Sequence, residues 1–396
     1  FGHGVIDDVE APLNGSPDTL RFAHLNSSQV TMSRVGIDLI IKVNGSTTDE
    51  LKIVGQFAQQ RSGFGFSGLD PDHGVQEIIF ANGEVWDKID IARAVSVHTD
   101  GDDIINGTES IDFLDGGLGN DTLNGGGEGD IYAFGIGDGQ DTVSDNIGYI
   151  LVDTADMVNF KAGITPDMVT FTRQGNSNNL IIKVNGTDDQ LTIKDQFTAY
   201  YTGVLGTQWA YRIEGFSFSD GTIISWEQIF DMVIHSNETS GNDIVYGFAR
   251  SDVLDGGAGD DLLSGGEEND TYIMGLGYGH DTIQEGRTNI LSGSNDTLQF
   301  TDDISPSQIA MSRPAGTDDL ILTLTDGSSV TIKKQFYLDG PFGGVDSNSV
   351  NYFNFSDGTS WDFEYVKLKL LEINSTSGND VIYGYSFSND MINGGN

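Results

Sequence analysis

Cysteine is absent from all 396 residues, which excludes disulfides, thiolate metal sites and a cysteine nucleophile. Positive charge is scarce. Lys plus Arg is 19 against 60 Asp plus Glu, for a net charge of -41. Such a chain repels nucleic acid and repels itself, so it is expected not to compact until cations neutralise it. No window holds eighteen consecutive apolar residues, so no membrane span is expected. No N-terminal signal-peptide pattern is present. The metalloprotease motif H-E-x-x-H is missing, and so is the nucleophile elbow G-x-S-x-G. Gly65-Phe66-Ser67-Gly68 falls short of the latter. No catalytic residue is therefore predicted, and no enzyme activity is expected of this chain.

What is present is glycine, aspartate and a fixed beat. Glycine numbers 53, roughly twice average usage, while 37% hydrophobic residues argue for a packed core. Asp103, Asp112, Asp121 and Asp130 are nine residues apart, and Asp243, Asp252, Asp261 and Asp270 repeat the beat. Gly116–Asn124 and Gly256–Ser264 match the nonapeptide G-G-x-G-x-D-x-U-x in full, where U is a large apolar residue. Glycines at its positions one, two and four are expected to take left-handed backbone conformations. The loop then turns carbonyl oxygens inward, and the aspartate at position six adds a carboxylate. Calcium takes six to eight such oxygens. Position eight holds Ile105, Leu114, Leu123 and Tyr132, then Val245, Leu254, Leu263 and Tyr272, each predicted to point into a core.

This pattern resembles the RTX, or haemolysin-type calcium-binding, repeat of secreted bacterial proteins. The resemblance implies a parallel β-roll in which two nonapeptides make one turn and calcium sits between loops one turn apart. Asp103 then pairs with Asp121, Asp112 with Asp130, Asp243 with Asp261, and Asp252 with Asp270. Asp141 and Asp281 look like closing ligands on the last loops. The glycines Gly101, Gly107, Gly116, Gly119 and Gly125 complete the first expected metal sites, and Gly241, Gly247, Gly256, Gly259 and Gly265 the second. The loops after Gly107 and Gly247 lack the later glycines, so their sites are expected to be weaker. Asp380 opens a third block, whose Asp390 loop is one residue too long.

A longer period of roughly 140 residues contains the short one. Asp18-Thr19-Leu20, Asp156-Met157-Val158 and Asp296-Thr297-Leu298 are equivalent, as are Gln56-Phe57, Gln196-Phe197 and Gln335-Phe336. So are Phe80, Phe218 and Phe355, each followed by Trp86, Trp226 or Trp361, and the arginines Arg34, Arg173 and Arg313. Leu180–Val184 and Gln190–Ile193 read as a hairpin around Asn185-Gly186. These blocks resemble the haemolysin-type calcium-binding-related domain. The expected fold is all-β, with parallel β-rolls alternating with small β-rich related domains. The predicted segments are a related domain over 1–98, a roll over 99–146, a related domain over 147–238, a roll over 239–286, a related domain over 287–374 and the start of a roll over 375–396. Each related domain is expected to cap one roll and lead into the next, with the repeated aromatics as core.

Phe1-Gly2-His3-Gly4 resembles Phe134-Gly135-Ile136-Gly137, and Asn393-Gly394-Gly395-Asn396 lies inside a repeat, so a piece of a longer tandem array is expected. The resemblance implies type I secretion from a Gram-negative bacterium to the extracellular space or cell surface. It also implies calcium-dependent folding and a spacer role between flanking modules of the same longer chain. The alternative is a carbohydrate- or surface-binding module of an adhesin or polysaccharide-active enzyme. Its candidate ligand residues are Tyr201, Trp209, Tyr211, Tyr337 and Phe342, in the loops where the three copies differ.

Overall fold

The computed structural model describes residues 2–7, 18–35, 37–57, 59–61, 67–69, 74–96, 98–107, 111–127, 129–145, 155–201, 207–209, 212–285, 294–301, 304–337, 349–374 and 384–385. For residues 7, 59–61, 67–69, 89, 200–201 and 207–209 it describes the backbone alone. The chain forms two compact units, 1–200 with 208–229, and 201–207 with 230–396.

In the first unit the nonapeptides wind into a parallel β-roll. Ile104–Asn106, Thr122–Asn124 and Gln140–Ser144 pair in parallel in one sheet. Phe113–Asp115, Ile131–Phe134 and Met157–Phe160 do so in the other. Alternation along such short strands points the residue at position eight inward, which is why the repeat asks for an apolar residue there. Leu114, Leu123 and Tyr132 are buried there and Ile105 is half-buried. Each full burial contributes about 1.5–3 kcal/mol.

Neither sheet stops where the nonapeptides stop. Gln140–Ser144 pairs in parallel with Gln190–Ile193, which returns antiparallel through Leu180–Val184 to Val169–Thr172. The hairpin turn places Gly186 at φ 81°, a conformation that favours glycine. On the other face Met157–Phe160 pairs in parallel with Gly215–Ser217, which turns back into Ile223–Ser225. The result is one six-stranded and one five-stranded sheet shared by the roll and the block after it.

The second unit repeats this. Ile244–Tyr246, Leu262–Ser264 and His280–Ile283 lead in parallel to Ser329–Ile332, then antiparallel to Leu320–Thr323 and Ala310–Ser312. Val253–Asp255, Thr271–Met274 and Asp296–Phe300 lead in parallel to Val350–Asn354, then back to Ser360–Asp362. Val245, Leu254, Leu263 and Tyr272 are all buried.

The repeated aromatics are core. Phe22 stacks on Phe80, Phe160 on Phe218, and Phe300 on Phe355, with ring centroids 5.6, 4.6 and 4.7 Å apart. Trp86 and Trp361 stand edge-on to Phe80 and Phe355. A helix follows each tryptophan or begins at it: Lys88–Val95, Trp226–His235 and Phe363–Ile373. The first is started by Asp87, which accepts the Asp90 N–H at 3.0 Å. This helix docks on the roll that follows it. Ala92 packs with Phe113 and Ala133, and the Arg93 guanidinium lies 4.7 Å from the Phe113 ring centre.

Candidate metal centres

Each edge of a roll carries a ladder of aspartates. Asp121 Oδ1 accepts the Asp103 N–H at 2.7 Å, and Asp141 Oδ1 accepts the Asp121 N–H at 2.9 Å. On the opposite edge Asp130 accepts from Asp112 at 2.8 Å, and Asp156 accepts from Asp130 at 2.6 Å. In the second unit Asp261 accepts from Asp243, and Asp281 from Asp261, at 2.8 and 3.1 Å. There Asp270 accepts from Asp252, and Asp296 from Asp270, at 2.9 and 3.0 Å. Residues eighteen apart thus meet, as the β-roll pairing requires. Asp141 and Asp281 continue the edge of Asp121 and Asp261 after a stretch of twenty residues. A second ladder runs the other way at position five: Asn120 N–H donates to Asp102 Oδ1, and Gln140 N–H to Asn120 Oδ1, both at 2.9 Å.

One oxygen of each inner aspartate is occupied by this ladder. The other, Oδ2, is buried without a hydrogen-bond partner in Asp121, Asp141, Asp156, Asp261, Asp270 and Asp281. An orphaned buried carboxylate oxygen is costly, so each asks for a proton or a cation. Burial pushes Asp141 and Asp281 up to about 7 and Asp270 up to about 9. Burial also raises Asp121 and Asp261. Backbone carbonyls supply further oxygens between turns: a Cβ at Gly119 would lie 2.8 Å from Gly101 O, and one at Gly139 would overlap Gly119 O. Hard carboxylate and carbonyl oxygens without nitrogen or sulfur fit calcium.

The glycines divide into two kinds, which corrects the expectation that positions one, two and four all need a left-handed backbone. Gly117, Gly119, Gly257 and Gly259 have φ of 83°, 134°, 71° and 142°. Position one does not. Gly116, Gly125, Gly256 and Gly265 have no positive φ; a Cβ there would collide with the carboxylate of Asp121, Asp130, Asp261 or Asp270. Glycine at position one clears space for the aspartate. At Gly107 and Gly247 the Cβ would overlap the carbonyl oxygens of Gly125 and Gly265. Gly101 and Gly241 are uncrowded beyond their neighbouring threonines.

The loops short of glycine are filled differently. Asp112 is bridged by the Arg34 guanidinium, from strand Val30–Val35 of the preceding block. Asp252 Oδ1 lies 3.1 Å from Arg250 Nε, and its Oδ2 accepts the Phe248 N–H at 2.5 Å. Where the sequence points to calcium at these two aspartates, the structure places a guanidinium. The first turn of this edge already holds its cation.

The last turn of the same edge is the reverse. Asp130, Asp145 and Asp156 are buried together, with carboxylate oxygens all within 4.8 Å of one another. Burial, and next the Asp145 carboxyl beside it, pushes Asp156 up to about 12. Neither Asp145 nor Asp156 stands out in the nine-residue register. The available signal is Asp156-Met157-Val158, which repeats the aspartate-x-apolar core of the nonapeptide, as Asp296-Thr297-Leu298 does. Thr99 and Thr239 are also outside the expected set. Their backbone N–H and hydroxyl groups hold Asp103 and Asp243, where no earlier turn exists to do so.

Of the candidate ligand residues, Tyr337 is exposed, with Lys334 Nζ 5.6 Å from its ring centre. Tyr201 and Trp209 lie in the short strands Ala199–Tyr201 and Thr207–Trp209. Tyr211, Phe342, Asp380 and Asp390 lie outside the described residues. No helix among the described residues is long and apolar enough to cross a membrane.

Comparison with known proteins gives a consistent result. The RTX calcium-binding nonapeptide repeat matches residues 99–132, 239–272 and 372–396. The haemolysin-type calcium binding protein related domain matches 38–90, 179–228 and 319–365. Iron-regulated protein FrpA of Neisseria meningitidis serogroup C is 37% identical over 117 residues, which is 30% of this chain and 9% of that protein. The chain therefore spans a small part of that relative's length. Extracellular lipase LipA from Serratia marcescens is matched over 64% of this chain and 39% of its own, at 15% identity and a TM-score of 0.19, too low to carry an argument.

Proposed function

We propose, on the premise that this chain is an array of RTX calcium-binding nonapeptide repeats and haemolysin-type calcium binding protein related domains, that it is a calcium-folded spacer of an exported bacterial protein. Calcium is the ion these repeats take, and RTX repeat proteins are generally secreted. The observation that carries the spacer reading is the continuity of the sheets. Both sheets of each roll run on into the next block, so roll and block form one hydrogen-bonded body. A related block also grips the roll after it. Arg34 bridges to Asp112 while its guanidinium stacks 4.4 Å from the Phe57 ring centre, and Arg313 Nη1 donates to Gly384 O at 3.3 Å. Such a body transmits length and direction to whatever it joins. It assigns no catalytic role to any residue.

The ladders explain why calcium sets the folded state. Each turn adds buried carboxylates that repel one another until a cation joins them. Binding to the folded state alone stabilises it by mass action, and export into calcium-rich surroundings then drives folding. Small-angle scattering of the whole chain tests this. In chelator the chain is expected to be expanded, and in calcium to contract to a smaller radius of gyration. Equal scattering curves under both conditions would refute the reading.

A further inference from the structure

The repeat motif assigns carboxylates at position six and glycine at position one. At the last turn of each roll the second rule is broken. Gly107 and Gly125 occupy position one in successive turns after Ile104–Asn106 and Thr122–Asn124. The residue that follows Gln140–Ser144 in their place is Asp145. In the second unit Gly247 and Gly265 give way to Glu285. Asp8 stands at the same sequence position, five residues past the start of strand His3–Asp7, though it lies outside the described residues. An acid thus recurs where the motif has glycine.

The surroundings of this acid point to a ligand. Asp130, Asp145 and Asp156 bring three carboxylate oxygens within 4.8 Å, and all three residues are buried. The Oδ2 of Asp156 has no hydrogen-bond partner. The phenol of Tyr132, fully buried, is aimed into the same cluster, and its proton has no acceptor among the described residues. In the second unit the equivalent residues Asp270, Glu285, Asp296 and Tyr272 are buried neighbours, though their three carboxylates do not converge within 4.8 Å. There the Tyr272 hydroxyl donates to Glu285, Asp270 Oδ2 is without a partner, and Ser294 Oγ donates to Asp296 Oδ2 at 3.0 Å.

We infer that each roll ends in a separate divalent-cation site held mainly by side chains: Asp130, Asp145 and Asp156 in the first, and Asp270, Glu285 and Asp296 in the second. The glycine-loop sites use one carboxylate per turn with backbone carbonyls. This one uses three carboxylates, with the Tyr132 or Tyr272 hydroxyl beside the ion. Three anionic oxygens favour a hard cation of calcium's size, and a higher ligand charge tightens binding. Asp130 and Asp156 start the adjoining strands Ile131–Phe134 and Met157–Phe160, and Asp145 follows Gln140–Ser144. An ion here therefore ties together both sheets at the point where the roll passes into the related block.

The inference rests on the calcium reading above, and the test separates the two. Calcium is titrated calorimetrically into the whole chain and into an Asp145→Asn/Glu285→Gln variant, with circular dichroism in calcium as a check on folding. The variant is expected to bind about one ion fewer per roll and to lose the tightest class of sites. If the unaltered chain binds no calcium, both readings fall. If it binds calcium and the variant matches it in stoichiometry and affinity, this inference alone falls. Should the variant not fold, Tyr132→Phe/Tyr272→Phe decides, because it keeps every carboxylate. Terbium replaces calcium, and its emission is excited through tyrosine. The phenylalanine variant is expected to lose most of that emission, and unchanged emission overturns the assignment.

Discussion

The two edges of a roll follow the same nine-residue beat and dispose of its charge in opposite ways. Along the edge of Asp103, Asp121 and Asp141, glycine-rich loops leave buried carboxylate oxygens without partners at Asp121 and Asp141. Along the edge of Asp112, Asp130 and Asp156, the first carboxylate is held by Arg34 and the last is joined by Asp145. The second unit shows the same contrast, with Arg250 at Asp252 and Glu285 at the end. A repeated aspartate therefore does not meet a repeated environment: on one edge the protein places a guanidinium at the first carboxylate.

Substitution on the two edges should separate them. Asp261→Ala removes a ladder carboxylate whose Oδ2 has no partner, and is expected to weaken calcium binding by about tenfold or more, read by calorimetry. Asp252→Ala, whose partner is Arg250, is expected to leave calcium affinity within about twofold while lowering stability. Equal losses of affinity would erase the distinction between the edges. Next in size is Gly259→Ala. Its φ of 142° and a methyl overlapping Gly241 O are expected to cost about 2–4 kcal/mol in denaturant unfolding with calcium present. A loss under about 1 kcal/mol would mean that the loop has room to relax.

Arg34→Met sharpens the comparison from the other side. It removes the guanidinium that bridges to Asp112 and is expected to cost about 2–3 kcal/mol in low calcium, with part of the loss restored as calcium rises. A loss that calcium does not touch would mean that the guanidinium acts only through packing on Phe57.

The smallest effect concerns pH. Burial raises Asp141 and Asp281 to about 7. Without calcium, the folded form holds protons that the unfolded chain releases above the ordinary aspartate range. Stability of the chelated chain should therefore be highest near pH 4 and fall as pH rises toward about 7. With calcium the trend should reverse, because protons compete with the ion for the same oxygens. Circular dichroism of the chelated chain at pH 5 and 8 checks the sign; more β-signal at pH 8 would contradict it.

The sequence makes the roll legible because its register is local: loop, aspartate and inward residue recur within nine positions. The hairpin of Leu180–Val184 and Gln190–Ile193 is legible for the same reason. What escapes is non-local. Asp156 meets Asp130 across 26 residues, and Arg34 reaches Asp112 across 78. The continuity of the sheets gives no local mark either, since parallel pairing needs no turn between the paired strands. Gln140–Ser144 and Gln190–Ile193 share no motif that announces their pairing. The role of glycine at position one is hidden differently. Composition shows that glycine is required, but only the place of the Asp121 carboxylate against Gly116 shows why.

Buried carboxylate oxygens without partners recur along the rolls and ask for cations. Far-UV circular dichroism of the whole chain, taken from excess chelator into calcium of roughly millimolar concentration at neutral pH, tests this most directly. A cooperative gain of β-signal is expected that magnesium at the same concentration fails to produce, because magnesium holds a small octahedral shell and sheds water reluctantly. A full β-spectrum already present in chelator, or the same gain with magnesium, would contradict it.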